Sequence, residues 1–176
     1  MPFVALHWRY DRRDFLGPRC SRFRRFARPG PSQGFLSYEK ACHIFNPIFT
    51  NPKLLAQKLA NHMEGAGIKN LYIAAPPEEE QFVREVAHAL SNHAMAVKDG
   101  SDVESYLKKR FENCAFIKTH FLGTLSIVEQ EVCFQSAIFY RSLKSTWSSN
   151  IRDERRVHRN GDDQTRDVLN LLGIAL

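Results

Sequence analysis

Two stretches of this 176-residue chain carry side chains suited to chemistry on an anion. The first is His7-Trp8-Arg9, which closes the apolar run Phe3-Val4-Ala5-Leu6. The second is Ser145-Thr146-Trp147-Ser148, which follows Phe139-Tyr140-Arg141. Side chains alternate along a strand, so His7 and Arg9 share one face of it. An arginine buried there without an anionic partner is costly, and the pair therefore implies an anion or a carboxylate beside it. A structural hydrogen bond is the simpler use of a lone histidine at a strand end. At the second stretch a strand ends and a hydroxyl-rich helix begins. Free backbone N–H groups and the positive end of the helix dipole suit a phosphate at such a start. Ser145, Thr146 and Ser148 would add hydroxyl donors, although plain N-capping uses the same residue types. Neither Gly-x-Gly-x-x-Gly nor Gly-Lys-Ser/Thr occurs, so dinucleotide and P-loop fingerprints are both absent.

The elements that must position these residues follow from periodicity. Phe3–Arg9 reads as a short buried strand. Residues 10–50 read mostly as loop, rich in Arg, Gly, Pro and Ser, with a turn of helix near 38–42. Asn51-Pro52 suits an N-cap and first helical position for a helix to about Glu64, stopped by Gly65 and Gly67. A strand over 70–75 leads to Pro76-Pro77-Glu78-Glu79-Glu80, whose acids complement the dipole of a helix reaching about Asn92. Phe82, Val83, Val86, Ala89 and Leu90 give that helix an apolar face. A brief strand is expected over 94–97, then a helix over 103–111 capped by Ser101 or Asp102. A further helix capped by Ser126 would run through Cys133. A strand over 137–140, a helix from Ser145 or Thr146 toward Arg155, and an amphipathic helix over 164–172 complete the chain. Strands alternating with helices predict an α/β fold with a Rossmann-like parallel sheet, whose ligands bind outside the carboxyl ends of the strands. No internal repeat is present.

Composition sets outer bounds. Hydrophobic residues make up 43% and charged residues 25%, ordinary values for one globular domain. No apolar run reaches the roughly 18–20 residues of a membrane-spanning helix. At the start of the chain the charges follow the apolar residues, so no secretory signal is expected there. The net charge of +6 is uneven, with Arg9, Arg12, Arg13, Arg19, Arg22, Arg24, Arg25 and Arg28 in one stretch. That stretch reads as a solvated basic loop or as a contact for nucleic acid or acidic partners. Cys20, Cys42, Cys114 and Cys133 lack zinc-ligand spacing. Their even number permits two disulfides, while Cys133 in an apolar helix reads as a buried free thiol.

Three ordered segments resemble the GDP-fucose protein O-fucosyltransferase family. His7-Trp8-Arg9-Tyr10-Asp11-Arg12-Arg13-Asp14-Phe15 is similar to its His-x-Arg segment, which an Asp-aromatic pair follows. Ile127-Val128-Glu129-Gln130-Glu131-Val132-Cys133 is similar to the motif before its late strand. Ser145-Thr146-Trp147-Ser148-Ser149-Asn150-Ile151, with Glu154-Arg155, is similar to its last motif. The resemblance covers nearly the whole chain and implies the C-terminal, donor-binding half of a two-domain GT-B glycosyltransferase. It implies inverting, metal-independent transfer of fucose from GDP-fucose to a Ser or Thr of a folded protein acceptor, with no cofactor. Arg9 would be the catalytic cation that neutralises the departing pyrophosphate. His7 would contact the nucleoside side, Ser145 and Thr146 phosphate oxygens, and Trp147 would stand where the family has an aromatic. Glu129 would replace the family's usual Asp, its extra methylene either preserving the contact or moving it. Arg141 and Lys144 depart from the family pattern; Arg141 would either aid a diphosphate or crowd it. The resemblance further implies an endoplasmic reticulum location. It also implies an N-terminal acceptor-side domain that these residues do not supply, so a truncated chain of weak or no activity alone is expected. The alternative is a non-catalytic basic module that contacts nucleic acid or acidic partners through the Arg9–Arg28 segment.

Overall fold

The computed structural model of the protein describes residues 1–10, 47–48, 50–142, 145–159 and 163–173. Among the described residues five strands form one sheet: β1 (Val4–His7), β2 (Asn70–Ala74), β3 (Ala96–Asp99), β4 (Ile138–Arg141) and β5 (Thr165–Asp167). Their order is β3-β2-β1-β4-β5, and every pairing is parallel. Parallel strands need crossovers, and helices supply them. These are α1 (Pro52–Gly65), α2 (Glu80–Ser91), α3 (Gly100–Arg110), α4 (Ala115–Thr119), α5 (Phe121–Gln135), α6 (Thr146–His158) and α7 (Val168–Leu171). The α/β fold with a Rossmann-like sheet is the one expected from the alternation of strands and helices.

Alternation along the strands divides the core between the two sheet faces. Val4, Leu6, Leu71, Ile73, Ile138 and Tyr140 face α1, α2 and α7, where Leu55, Leu59, Phe82, Val86 and Leu169 pack. Ala5, Tyr72, Ala74 and Phe139 face the other way, against Cys133 of α5 and Ile151 of α6. Trp8 turns into the first core, stacked on Phe82 and edge-on to Tyr10, each ring centroid 5.0 Å away. Anchoring residue 8 on that side leaves His7 and Arg9 to the opposite side, where α5 and α6 lie.

Several boundaries differ from expectation, each for a local reason. Strand β1 ends at His7, so Arg9 lies beyond it and is exposed rather than buried. Asn51 precedes α1 without a side-chain cap bond, and Gly67 ends that region at φ +66°. Ala94 takes a left-handed turn (φ +53°) that displaces β3 to Ala96–Asp99. The cap of α3 is Asp99, which accepts from the Ser101 N–H, while Asp102 reaches back in a capping box. Ser126 lies within α5, which begins at Phe121, so it caps nothing. The expected helix over 164–172 is instead β5 followed by the short α7, capped by Asp167 through the Leu169 N–H at 3.0 Å. Cys114 and Cys133 are free thiols, so two disulfides do not form. The turn expected near 38–42, Cys20 and Cys42 lie outside the described residues.

Candidate functional site

His7, Arg9, Glu129, Ser145, Thr146 and Trp147 line one cleft of about 390 Å³ at the carboxyl edge of the sheet. The chain leaves β1 toward β2 on one side and reaches β5 from β4 on the other, so this edge is a topological switch point. Ala74 at the end of β2, with Ala75, Pro76 and Pro77 after it, forms one wall, and Leu122, Leu125 and Ser126 of α5 another. Residues far apart in sequence meet here because four elements end at the same edge.

A buried hydroxyl network joins β1 to the segment after β4. The Ser142 hydroxyl donates to the His7 carbonyl at 2.6 Å and accepts from the Arg9 N–H at 2.9 Å. It thereby continues the β1–β4 ladder beyond the last paired residues. The Ser142 N–H donates to Ser148 Oγ at 3.2 Å, and Ser148 Oγ hydrogen-bonds His7 Nδ1. Trp147 lays its ring against His7 with centroids 4.2 Å apart, and its indole N–H donates to Ser126 Oγ at 3.1 Å. Burial and the neighbouring Arg9 pull the His7 pKa down to about 3, so the ring is neutral at physiological pH.

At the start of α6, Ser145 acts as N-cap and accepts from the Ser148 N–H at 3.4 Å. Capping is therefore a use that this hydroxyl has, yet Ser145 still borders the cleft. Thr146, the first residue of the helix, is exposed there with Arg9. A guanidinium beside a helix N-terminus is a positively charged corner that fits a phosphate or a diphosphate.

Glu129 stands at the other end. It accepts from the Tyr72 hydroxyl at 2.9 Å, and burial, with Asp99 nearby, raises its pKa above the usual carboxylate value. A second cavity of about 210 Å³ adjoins through Ala75, Pro76, Pro77, Leu125 and Glu129. Its own residues include Glu80, Asp99 and Glu104, so the two ends differ in sign. Gly100 admits Glu129 closely, since a Cβ there would lie 3.0 Å from Oε1.

Ser142 and Tyr72 were not legible as site residues, because their roles depend on strand register rather than on any motif. Ser148 belongs to the hydroxyl-rich stretch, but it turns inward and is fully buried. Arg141 pairs with Asp167 across β4 and β5 at 3.3 Å and does not line the cleft. Arg155 is fully buried, where it donates to the carbonyls of Phe134 and Ser136, each at 2.7 Å, and meets Asp163 at 3.0 Å. It is a clamp on the end of α5, not a cleft residue. Lys144 and nearly all of the Arg9–Arg28 segment lie outside the described residues. Among the described residues no helix is long and apolar enough to cross a membrane.

In fold the chain resembles crystal structures of POFUT1 in complex with GDP. One, a high-resolution data set, superposes with a TM-score of 0.55 at 17% identity, covering 93% of this chain and 42% of that one. Another crystal form gives 0.53 at 16% identity, covering 94% and 41%. The chain thus spans about two-fifths of the length of these neighbours. No protein-family model matches the sequence, and no curated protein matches it. The shared property is the fold, a parallel α/β sheet with flanking helices.

Proposed function

We propose that this chain is the donor-binding domain of a glycosyltransferase of the protein O-fucosyltransferase type, with GDP-fucose held in the 390 Å³ cleft. The observation that carries this reading is convergence. Six residues within segments that resemble the family's motifs, spread from His7 to Trp147, line one cleft on a fold shared with a GDP-bound neighbour.

In this reading the diphosphate lies against Arg9, Thr146 and the first N–H groups of α6. The guanine lies toward Glu129 and the acidic cavity, where carboxylates accept from its ring N–H and amine. The transferred group is fucose. A Ser or Thr hydroxyl oxygen of the acceptor protein attacks the anomeric carbon with inversion, and the bond from that carbon to the phosphate oxygen breaks. The electron pair leaves on GDP, and the hydroxyl proton passes to a base on the acceptor side of the cleft. Arg9 meets the charge that develops on the departing diphosphate, the part a metal ion plays in other transferases. The reading therefore includes no metal, and it places the protein in the endoplasmic reticulum as the family resemblance implies.

Thermal melting with nucleoside diphosphates tests it. A ligand at about 100 times its dissociation constant stabilises a folded protein by about 2.7 kcal/mol. GDP and GDP-fucose are expected to raise the melting temperature, and ADP and UDP to leave it unchanged. Equal shifts with all four would overturn the guanine assignment, and no shift with any would overturn the donor-site reading.

A further inference from the structure

We infer that Ser142 and Ser148 are positioning residues that hold His7 in its Nε2–H tautomer, so that the ring offers one hydrogen-bond donor to an acceptor oxygen of the ligand in the cleft. The ligand's identity rests on the nucleotide-sugar reading above, whereas the tautomer does not.

The assignment follows from counting donors and acceptors. Ser148 is fully buried, and its Oγ already accepts from the Ser142 N–H. A buried hydroxyl that cannot donate is penalised, and among the described residues the acceptor in contact with Ser148 Oγ is His7 Nδ1. The hydroxyl proton points at Nδ1, which must then be bare, so the ring's one proton sits on Nε2. A second proton is disfavoured by burial and by Arg9. Nε2 finds no partner among the described residues, although His7 is only 6% exposed and lines the cleft. It is a donor that the protein itself leaves unspent. Trp147 packed on the ring hinders its rotation, and Ser142 fixes the backbone on both sides of Trp8 through the His7 carbonyl and the Arg9 N–H. One buried residue thereby sets the position of both groups that face the ligand. A phosphate, ribose or sugar oxygen fits this donor, and a ligand N–H or O–H directed at the same point does not.

The test combines a spectroscopic readout with titration. In the unliganded protein, nitrogen-15 correlation spectra of the imidazoles at pH 7 are expected to show His7 with a protonated Nε2 and a bare Nδ1. Ser148→Ala should lose that single pattern and weaken GDP binding about tenfold, the size of one lost hydrogen bond of about 1.4 kcal/mol. Ser148→Thr, which keeps the hydroxyl, should restore both. A wild-type His7 protonated on Nδ1, or a Ser148→Ala spectrum identical to wild type, would overturn the inference whatever GDP does. The expected tautomer in a wild-type protein that ignores GDP would sink the donor-site reading and leave the tautomer assignment standing. The wild-type spectrum decides the tautomer even where a variant fails to fold.

Discussion

At Glu129 the carboxylate carries a charge that its surroundings resist. Burial and the nearby Asp99 raise its pKa in the folded protein, while the unfolded chain titrates near the ordinary value of about 4.3. The folded state therefore holds the proton more tightly, and stability falls as pH rises from about 4.3 through the higher folded value. Glu129→Gln keeps an acceptor for the Tyr72 hydroxyl and removes the charge. It is expected to flatten the loss of melting temperature between pH 4 and pH 7, measured by circular dichroism. An unchanged pH slope would mean that the charge at this position is fully solvated. The same residue shows what a sequence can and cannot disclose. The sequence singles out Glu129, His7, Arg9 and Ser145 through their segments, and all four border the same cleft. Their partners were not legible, because the Tyr72–Glu129 and Ser148–His7 bonds span 57 and 141 residues and depend on register. Arg9 was misjudged in one respect: the strand stops at His7, so its guanidinium is exposed at the cleft rather than buried.

At the scale of elements, hydrogen bonds from side chains decide where helices and strands stop. The last carbonyls of α5 have no intrahelical partners, and Arg155 of α6 reaches across to take those of Phe134 and the following Ser136. Its remaining charge meets Asp163 just before β5. Arg155→Ala leaves buried carbonyls and a half-buried carboxylate without that partner. The expected cost is on the order of 3–5 kcal/mol by urea denaturation, and a loss under about 1 kcal/mol would show that water replaces the guanidinium. Such links also explain which elements could be read in advance. Strands β1, β2 and β4 are buried on both faces and show as apolar runs. Strand β5 is Thr165-Arg166-Asp167, a polar edge strand with no period to detect, so the apolar period of the following α7 extends back over it in the sequence. Strand β3 was displaced by two residues because Ala94 gives no warning of a left-handed turn.

For the whole molecule, a parallel sheet gathers every loop of interest at one edge, and charge is segregated along that edge. Arg9 and the start of α6 make one end positive; Asp99, Glu104 and Glu129 make the other negative. A guanosine diphosphate presents acceptors at one end and donors at the other, which is the complement of this arrangement. The chain spans about two-fifths of its structural neighbours, and the remaining length of those proteins has no counterpart in these residues. The 176-residue chain is accordingly expected to bind GDP-fucose without transferring fucose to a folded acceptor domain. A fucose mass increment on the acceptor, found by mass spectrometry, would show that the chain suffices for transfer. The central claim is that Arg9 and the α6 start bind the diphosphate of a guanine nucleotide, and calorimetric titration of wild-type and Arg9→Ala protein with GDP tests it most directly. Arg9 is exposed, so the variant is expected to fold as the wild type does. Loss of one charge-assisted contact of about 1.5–3 kcal/mol predicts an affinity about ten- to a hundredfold weaker. Equal affinities for GDP in the two proteins would contradict the account.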